Sequence, residues 1–375
     1  MLAMDGQDAQ DAWLRLNVLE LATHRKHTLL DAFQGDPVAL FNANTDEWQE
    51  RLPKVTGKRL EQILSLRSLD LSPYWAAIDK CGATLVTFDS PNYPANLRPL
   101  PDAPPVLLVR GELVPEDKFS IAIVGSRGAT HYGLTLAKQF ARELAGHGLT
   151  IVSGGARGVD TEAHKGALEA GGRTLAYLGC GVDHDYPRDN RGLFDDIACG
   201  SGAVLSEFPM GTLPEPWRFP ARNRLISGTS LGVLVIESPV NSGSLITARV
   251  AGEQGRDVFA VPGPIGFGHN TGCHKLIQDG AKLVESVDDI LTELGELSLR
   301  SPDMRTIGAL PLPGPPLPPE QRRVLDLLTL QPRIVEGMQH ECGLTVPQVM
   351  GILTLLEMRG LARRVPGNAF VRVLS

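Results

Sequence analysis

The order of apolar and polar positions divides this chain into three stretches of different period. From residue 1 to about 75, apolar residues recur at helical spacing, as in DAWLRLNVLELATH and EQILSLRSL. Between these, RLPKVTGKRLEQIL puts Gly57 in a short turn that opens onto a helix. The pattern suits one half of a helix-hairpin-helix or sterile-alpha-motif unit, and equally a plain helical bundle. From about Gly82 to Glu285 the period changes. Short Val/Ile/Leu runs (ATLVTF, IAIVGS, LTIVSGG, TLAYLGCG, AVLSEF, LGVLVIES and DVFAVPG) alternate with helical stretches such as TLAKQFARELAGHG, DTEAHKGALEAGG, ARNRLISG, SLITARVAGEQG and HKLIQDGAKLV. Strands that are apolar throughout predict a parallel sheet buried on both faces. The expected fold over residues 76–295 is therefore an extended Rossmann-like, doubly wound α/β domain. Residues 296–319 are too proline-dense to build a core and read as a linker. Residues 320–375 give three helices and a hairpin turning at Pro366-Gly367-Asn368, the order of a winged helix.

Composition adds limits to this picture. A length of 375 residues predicts two or three domains, and 42% hydrophobic with 21% charged residues is ordinary for a globular chain. No apolar run is long enough to span a membrane, and the opening MLAMDGQDAQDAW does not resemble a signal peptide. Five scattered cysteines without a C-x-x-C predict reduced thiols in the cytoplasm rather than a disulfide framework or a zinc site. His164, His184, His269 and His274 lack metal-ligand spacing, so neither metal nor cofactor is expected.

The formal net charge of −7 argues weakly against a nucleic-acid partner, but phosphate binding depends on local charge. The charge is indeed uneven. RFPARNRLISG gathers Arg218, Arg222 and Arg224 within seven residues. Open parallel sheets bind ligands beyond the carboxyl ends of their strands, where the winding reverses. With IAIVGS as the first strand and AVLSEF as its neighbour across that point, three loops would face one crevice. They carry Gly125, Ser126, Arg127, Gly128 and Gly133; Gly154, Gly155, Arg157 and Gly158; and Arg218 to Arg224. Arg127, Arg157, Arg222 and Arg224 would then converge. Glycines admit an anion close to backbone N–H groups, and arginine grips phosphate with a planar fork. Trp217 and Phe219 interleave with the cations and suit stacking of unpaired bases. Each group also has a structural alternative: Arg157 pairing with Asp160, Arg224 anchoring its own loop, Trp217 and Phe219 filling a core. From Glu320 onward, seven arginines stand against five carboxylates. The expected recognition helix TVPQVMGILTLLEMRG has few base-reading groups, so a protein contact suits it at least as well as DNA.

Taken together, AIVGSRGATHYG, IVSGGARGVDTEAHKGAL, LGCGVDHDYPRDN, LSEFPMGTLPEPWRFPARNRLISG and VLVIESPVNSGSLITARVAGEQGRDVFAVPGPI resemble the DprA family of bacterial DNA-processing proteins. The resemblance implies single-stranded DNA binding, homodimerisation through the α/β domain, and loading of RecA recombinase onto incoming strands during natural transformation. By position it implies DNA contacts at Arg127, Phe219, Arg222, Asn223 and Arg224 and a dimer contact near Leu276 and Ile277, while the loop reading adds Gly125, Ser126, Arg157 and Arg218 to the expected DNA site. Where some members carry a lysine three residues before the Phe, this chain has Pro216, and Arg218 is the nearest cation. The competing expectation is a nucleoside monophosphate phosphoribohydrolase on a similar fold. Its P-G-G-x-G-T-x-x-E loop corresponds to NSGSLITA, with Thr247 in place of the glutamate. Threonine cannot serve as a carboxylate base, so binding without turnover is the stronger expectation. Glu207 and Glu237, at strand ends, are the remaining candidates for acid–base chemistry.

Overall fold

The computed structural model describes residues 2–266, 268–300, 318–328, 333–358, 361–365 and 369–372. Two compact units emerge, Met1–Leu310 and Pro311–Ser375. No helix among the described residues is long and apolar enough to cross a membrane.

The first unit opens with six helices: α1 (Leu2–Val18), α2 (Thr23–Ala32), α3 (Pro37–Asn42), α4 (Thr45–Arg51), α5 (Lys58–Ser65) and α6 (Ser72–Cys81). Local chemistry sets several ends. The Asp36 carboxylate accepts from the Val38 and Ala39 amides, and Asn44 with Glu47 forms a reciprocal capping box at α4. These helices do not stand apart from the sheet. On β2 (Val106–Gly111), Val106 joins the core of α1 to α5, including Leu16, Leu40 and Trp48. Leu108 packs instead with Leu14, Leu71 and Ile78 of the α1 and α6 region. The pleat sends both side chains to the face that the helices cover.

Nine strands follow in the spatial order β1-β2-β6-β5-β4-β3-β7-β8-β9. They are β1 (Ala83–Thr87), β2, β3 (Ser120–Val124), β4 (Thr150–Ser153), β5 (Thr174–Tyr177), β6 (Gly202–Ser206), β7 (Gly232–Val235), β8 (Asp257–Ala260) and β9 (Lys282–Leu283). From β6 to β9 every pairing is parallel, while β1–β2 and β2–β6 are antiparallel. Sequence periodicity missed β2 and absorbed β9 into the helical reading of HKLIQDGAKLV.

The strand order also needs correction. AVLSEF is β6, and β5 and β4 separate it from IAIVGS, which is β3. The neighbour of β3 across the switch point is β7. The reason lies in α10 (Arg218–Thr229), which carries the chain from β6 back across the sheet to β7. Its Leu225 and Ile226 pack in one core with Leu175, Val152 and Val124, on β5, β4 and β3. That face is shared with α11 (Gly243–Glu253) and α12 (Thr271–Gln278), while α7 (His131–Gly146), α8 (Val159–Glu169) and α13 (Val287–Arg300) cover the other. A short helix, α9 (Arg191–Ala198), seats Phe194 and Ile197 against Ala176 and Val204.

The second unit is a winged helix. It comprises α14 (Pro319–Leu327), β10 (Arg333–Ile334), α15 (Val335–Cys342), α16 (Val346–Met358), β11 (Ala362–Val365) and β12 (Ala369–Arg372), with sheet order β10-β12-β11. Val324, Met338, Val349, Leu353 and Phe370 form its core. The exposed positions of α16 include Gln348, Thr354 and Leu355, and its one charged residue is Glu357. The hairpin turn at 366–368 and most of the Pro-rich stretch (301–317) lie outside the described residues.

Candidate nucleic-acid interface

The loops after β3, β4 and β5 meet the start of α10 at the carboxyl edge of the sheet. The Ser126 amide donates to the Glu237 carbonyl at the end of β7 (2.7 Å), which stitches the switch point together. The Val159 amide, at the start of α8, donates back to the Ser126 carbonyl (3.3 Å). Gly158 makes this approach possible: its φ is +84°, and a Cβ there would run into that same carbonyl oxygen. Gly125 and Ser126 are thus half-buried, and Arg127 is lifted into solvent.

Arg222 lies beneath this surface, 4% exposed. Its guanidinium donates to the Gly154 carbonyl (2.6 Å) and to the Tyr177 carbonyl. Asp160 is also buried, and its carboxylate accepts from the Gly154 amide (3.2 Å) and the Ala156 amide (3.4 Å). Burial pushes the Asp160 carboxyl up to about 6, although Arg222 and the two amides pull it down. Burial likewise lowers Arg222 to about 10 against the pull of Asp160. Desolvation outweighs attraction at both groups. The expectation that Arg222 itself grips a phosphate is revised accordingly: it holds the β4 and β5 loops in register from below.

The pair has a pH signature. The folded-state pKa of Asp160 lies above its unfolded value, so near pH 5 the native state holds a proton that the unfolded chain lacks. Native stability therefore gains from this group as pH falls through about 6. Asp160→Asn cannot take up that proton. Its stability deficit relative to the parent is expected to widen between pH 8 and pH 5. Denaturant titrations at both pH values check this, and a deficit that narrowed would contradict the assignment.

Above the buried pair sits a stack. The Arg127 guanidinium lies 5.3 Å from the Phe219 ring centroid, and Phe219 lies 5.3 Å from Tyr186 at 35°. Phe219 reaches this place because Gly179 yields it room: a Cβ at Gly179 would stand 2.9 Å from the ring. Arg127 has no carboxylate partner among the described residues. Arg157, also exposed, pairs with Asp189 at 2.8 Å rather than with Asp160. Asn190, next in chain, donates to the Gly155 carbonyl (2.9 Å) and the Thr161 hydroxyl (2.8 Å), bracing the β4 loop.

The other expected residues are placed differently. Arg218 is held in its own loop by Glu215 (3.4 Å) and the Leu213 carbonyl. The Asn223 amide reaches the Gly243 carbonyl at the start of α11 (3.4 Å). Arg224 turns away toward Glu207 (2.6 Å), Asp102 (3.3 Å) and Thr23 of α2 (3.0 Å), so it anchors distant segments rather than its own loop. Leu276 and Ile277 on α12 are half-buried against the sheet core. Four arginines were expected to converge; Arg127 and Arg157 reach the solvent edge, Arg222 supports it from below, and Arg224 ties the sheet to the N-terminal helices. Tyr186 and Asn190 were missed as individuals. Their stretch, LGCGVDHDYPRDN, follows β5, and the position of that strand beside β4 is the signal that would have found them.

Both candidate acid–base carboxylates are engaged. Glu237 is 1% exposed and accepts from the Thr130 amide (2.8 Å) and hydroxyl (2.6 Å). Glu207 is bound to Arg224. Among the described residues no cluster of His, Cys, Asp or Glu has the makings of a metal site.

Comparison with known proteins places the chain in a family. The family model for DNA recombination-mediator protein A matches residues 84–295, and that for the DprA winged helix domain matches residues 309–368. The chain is 39% identical to protein Smf of Escherichia coli over 85% of each chain. It is 46% identical to DNA processing protein DprA of Streptococcus pneumoniae over 54% of this chain and 71% of that protein. The solved S. pneumoniae DprA structure aligns with a TM-score of 0.65 at 36% identity, covering 74% of this chain and 95% of that one. DNA processing protein A of Helicobacter pylori, solved for its single-stranded DNA binding mode, aligns at 0.51 and 30% identity over 57% of this chain and 96% of that one. The family model spans more than half of the chain, and the chain belongs to the DNA recombination-mediator protein A family.

Proposed function

We propose that this protein binds single-stranded DNA along the carboxyl edge of β3 to β5. The observation that carries the reading is the Arg127–Phe219–Tyr186 stack: an exposed cation without a carboxylate partner, beside aromatic rings, on glycine-shaped loops. Such a surface neutralises phosphate and stacks unpaired bases, and needs no base sequence to do so. The H. pylori relative named for this binding supports the proposal. Further along the same reading, the protein acts in the cytoplasm as a homodimer through α12, and hands its strand to RecA recombinase during natural transformation. Nothing favours nucleotide hydrolysis, since Glu207 and Glu237 spend their carboxylates on Arg224 and Thr130.

Fluorescence anisotropy with labelled oligothymidine, titrated across salt concentrations, tests the proposal. Arg127→Ala is expected to weaken binding regardless of sequence. It should also flatten the plot of log affinity against log salt by roughly 0.7 for one lost phosphate contact. An unchanged slope and affinity would remove the phosphate reading. In the same assay, a fragment ending at Arg300 is expected to keep most of the affinity, because α16 offers no cation for a phosphate. If that fragment lost binding, the principal DNA site would lie in the winged helix.

A further inference from the structure

The loop from β6 to α10 carries an aromatic side chain that the stack above does not use. Trp217 is 60% exposed, yet it is not loose. Its indole N–H donates to Glu215 (2.6 Å), and its ring lies edge-on to Phe208 at 6.5 Å. The Arg218 guanidinium sits 4.8 Å from its ring centroid and 5.5 Å from that of Phe208. Arg218 is held there in turn by Glu215. Pro214 and Pro216 stiffen the approach to this tryptophan. A large aromatic ring is thus fixed in water, with a cation packed against it.

The topology gives this ring a direction. Arg127 follows β3, Phe219 lies over the end of β5, and Phe208 with Trp217 flanks the end of β6. The three stations fall in line across neighbouring strands in the order β3, β4, β5, β6. The Arg127 guanidinium already lies 5.3 Å from the Phe219 ring, and one strand spacing of ~4.8 Å separates the ends of β5 and β6, so the stations span roughly 10 Å. Stacked nucleotides rise ~3.4 Å each, so about three of them cover that distance.

We propose that Trp217 is an outer base-stacking station, and that the bound strand runs across the sheet edge from Arg127 over Phe219 to Trp217. This rests on the single-stranded DNA reading given above and adds the path and a minimum length. The occupant is a nucleic-acid base rather than a second copy of the chain, because the ring continues a line that begins at an unpaired cation.

The test uses the full-length protein with thymidine monophosphate and oligothymidines of up to fifteen nucleotides. The other tryptophans, Trp13, Trp48 and Trp75, all lie in the N-terminal helices, and the first two are buried, so quenching of intrinsic emission reports on Trp217. The fifteen-mer is expected to quench emission in the parent protein. Trp217→Ala should weaken the fifteen-mer about 5- to 150-fold, the range for one lost stacked base, and Trp217→Phe should restore most of that loss. With thymidine monophosphate, a single nucleotide that cannot stack on both Phe219 and Trp217, Trp217→Ala should match the parent. If Trp217→Ala bound the fifteen-mer like the parent while Phe219→Ala did not, this path would be wrong and the DNA reading would stand. If the parent itself failed to bind, the DNA reading would fall. A Trp217→Ala protein that changed its sedimentation but not its DNA affinity would assign the ring to contact between copies instead.

Discussion

Phe219→Ala is expected to weaken single-stranded DNA binding by about 1–3 kcal/mol, the cost of one lost stacked base, or roughly 5- to 150-fold in affinity. The ring is half-buried, between Arg127 at 5.3 Å and Tyr186 at 5.3 Å, so removing it takes away a stacking surface and also the support on which Arg127 rests. Phe219→Tyr keeps the ring and should bind nearly as the parent does. The salt slope separates this loss from a phosphate contact: affinity falls in the alanine variant while the slope changes little. Anisotropy titrations at three salt concentrations supply both quantities. Full affinity in Phe219→Ala would move the base-binding surface elsewhere.

The second large effect is on folding. Arg222→Ala leaves the buried Asp160 carboxylate without its cation and strips the Gly154 and Tyr177 carbonyls of a donor. Removing the cation beside a buried carboxylate, together with the donor to two buried carbonyls, costs about 3–5 kcal/mol, a large share of a domain's stability. Arg222→Lys is expected to recover only part of this, since an ammonium cannot bridge the two carbonyls with a planar fork. Denaturant unfolding of Met1–Arg300 fragments measures both variants. DNA binding by Arg222→Ala should fail through disorder of the β4 and β5 loops, and a stable, folded variant with specifically reduced salt slope would return Arg222 to the surface.

Much of this was legible in the chain. Apolar runs between helical stretches identified seven of the strands, because a strand buried on both faces reads as continuous Val, Ile and Leu. The quoted glycine and arginine loops do lie at one edge. What periodicity does not encode is lateral order. Nothing in AVLSEF says that α10 will carry the chain past β5, β4 and β3 before the next strand forms; that follows from Leu225 and Ile226 seeking the same apolar surface as Val124 and Val152. Depth was equally hidden. Arg127 and Arg222 look alike as letters, yet one is exposed and the other 4% exposed under Gly154. Only the packing of an arginine against backbone carbonyls distinguishes a grip from a girder.

The placement of the stack on a rim, with both oxygens of Glu237 spent in closing the switch point beside it, bears on how a strand leaves. A ligand sealed in a pocket departs all at once, over a barrier set by every contact it makes. A strand laid across an open edge can be peeled, one nucleotide yielding its place while the next stays put. An incoming protein or competing strand can occupy each vacated segment before it rebinds, so release is driven by what arrives rather than by waiting for spontaneous escape. On the proposed single-stranded DNA reading, tenacious hold and ready surrender are then compatible in one surface.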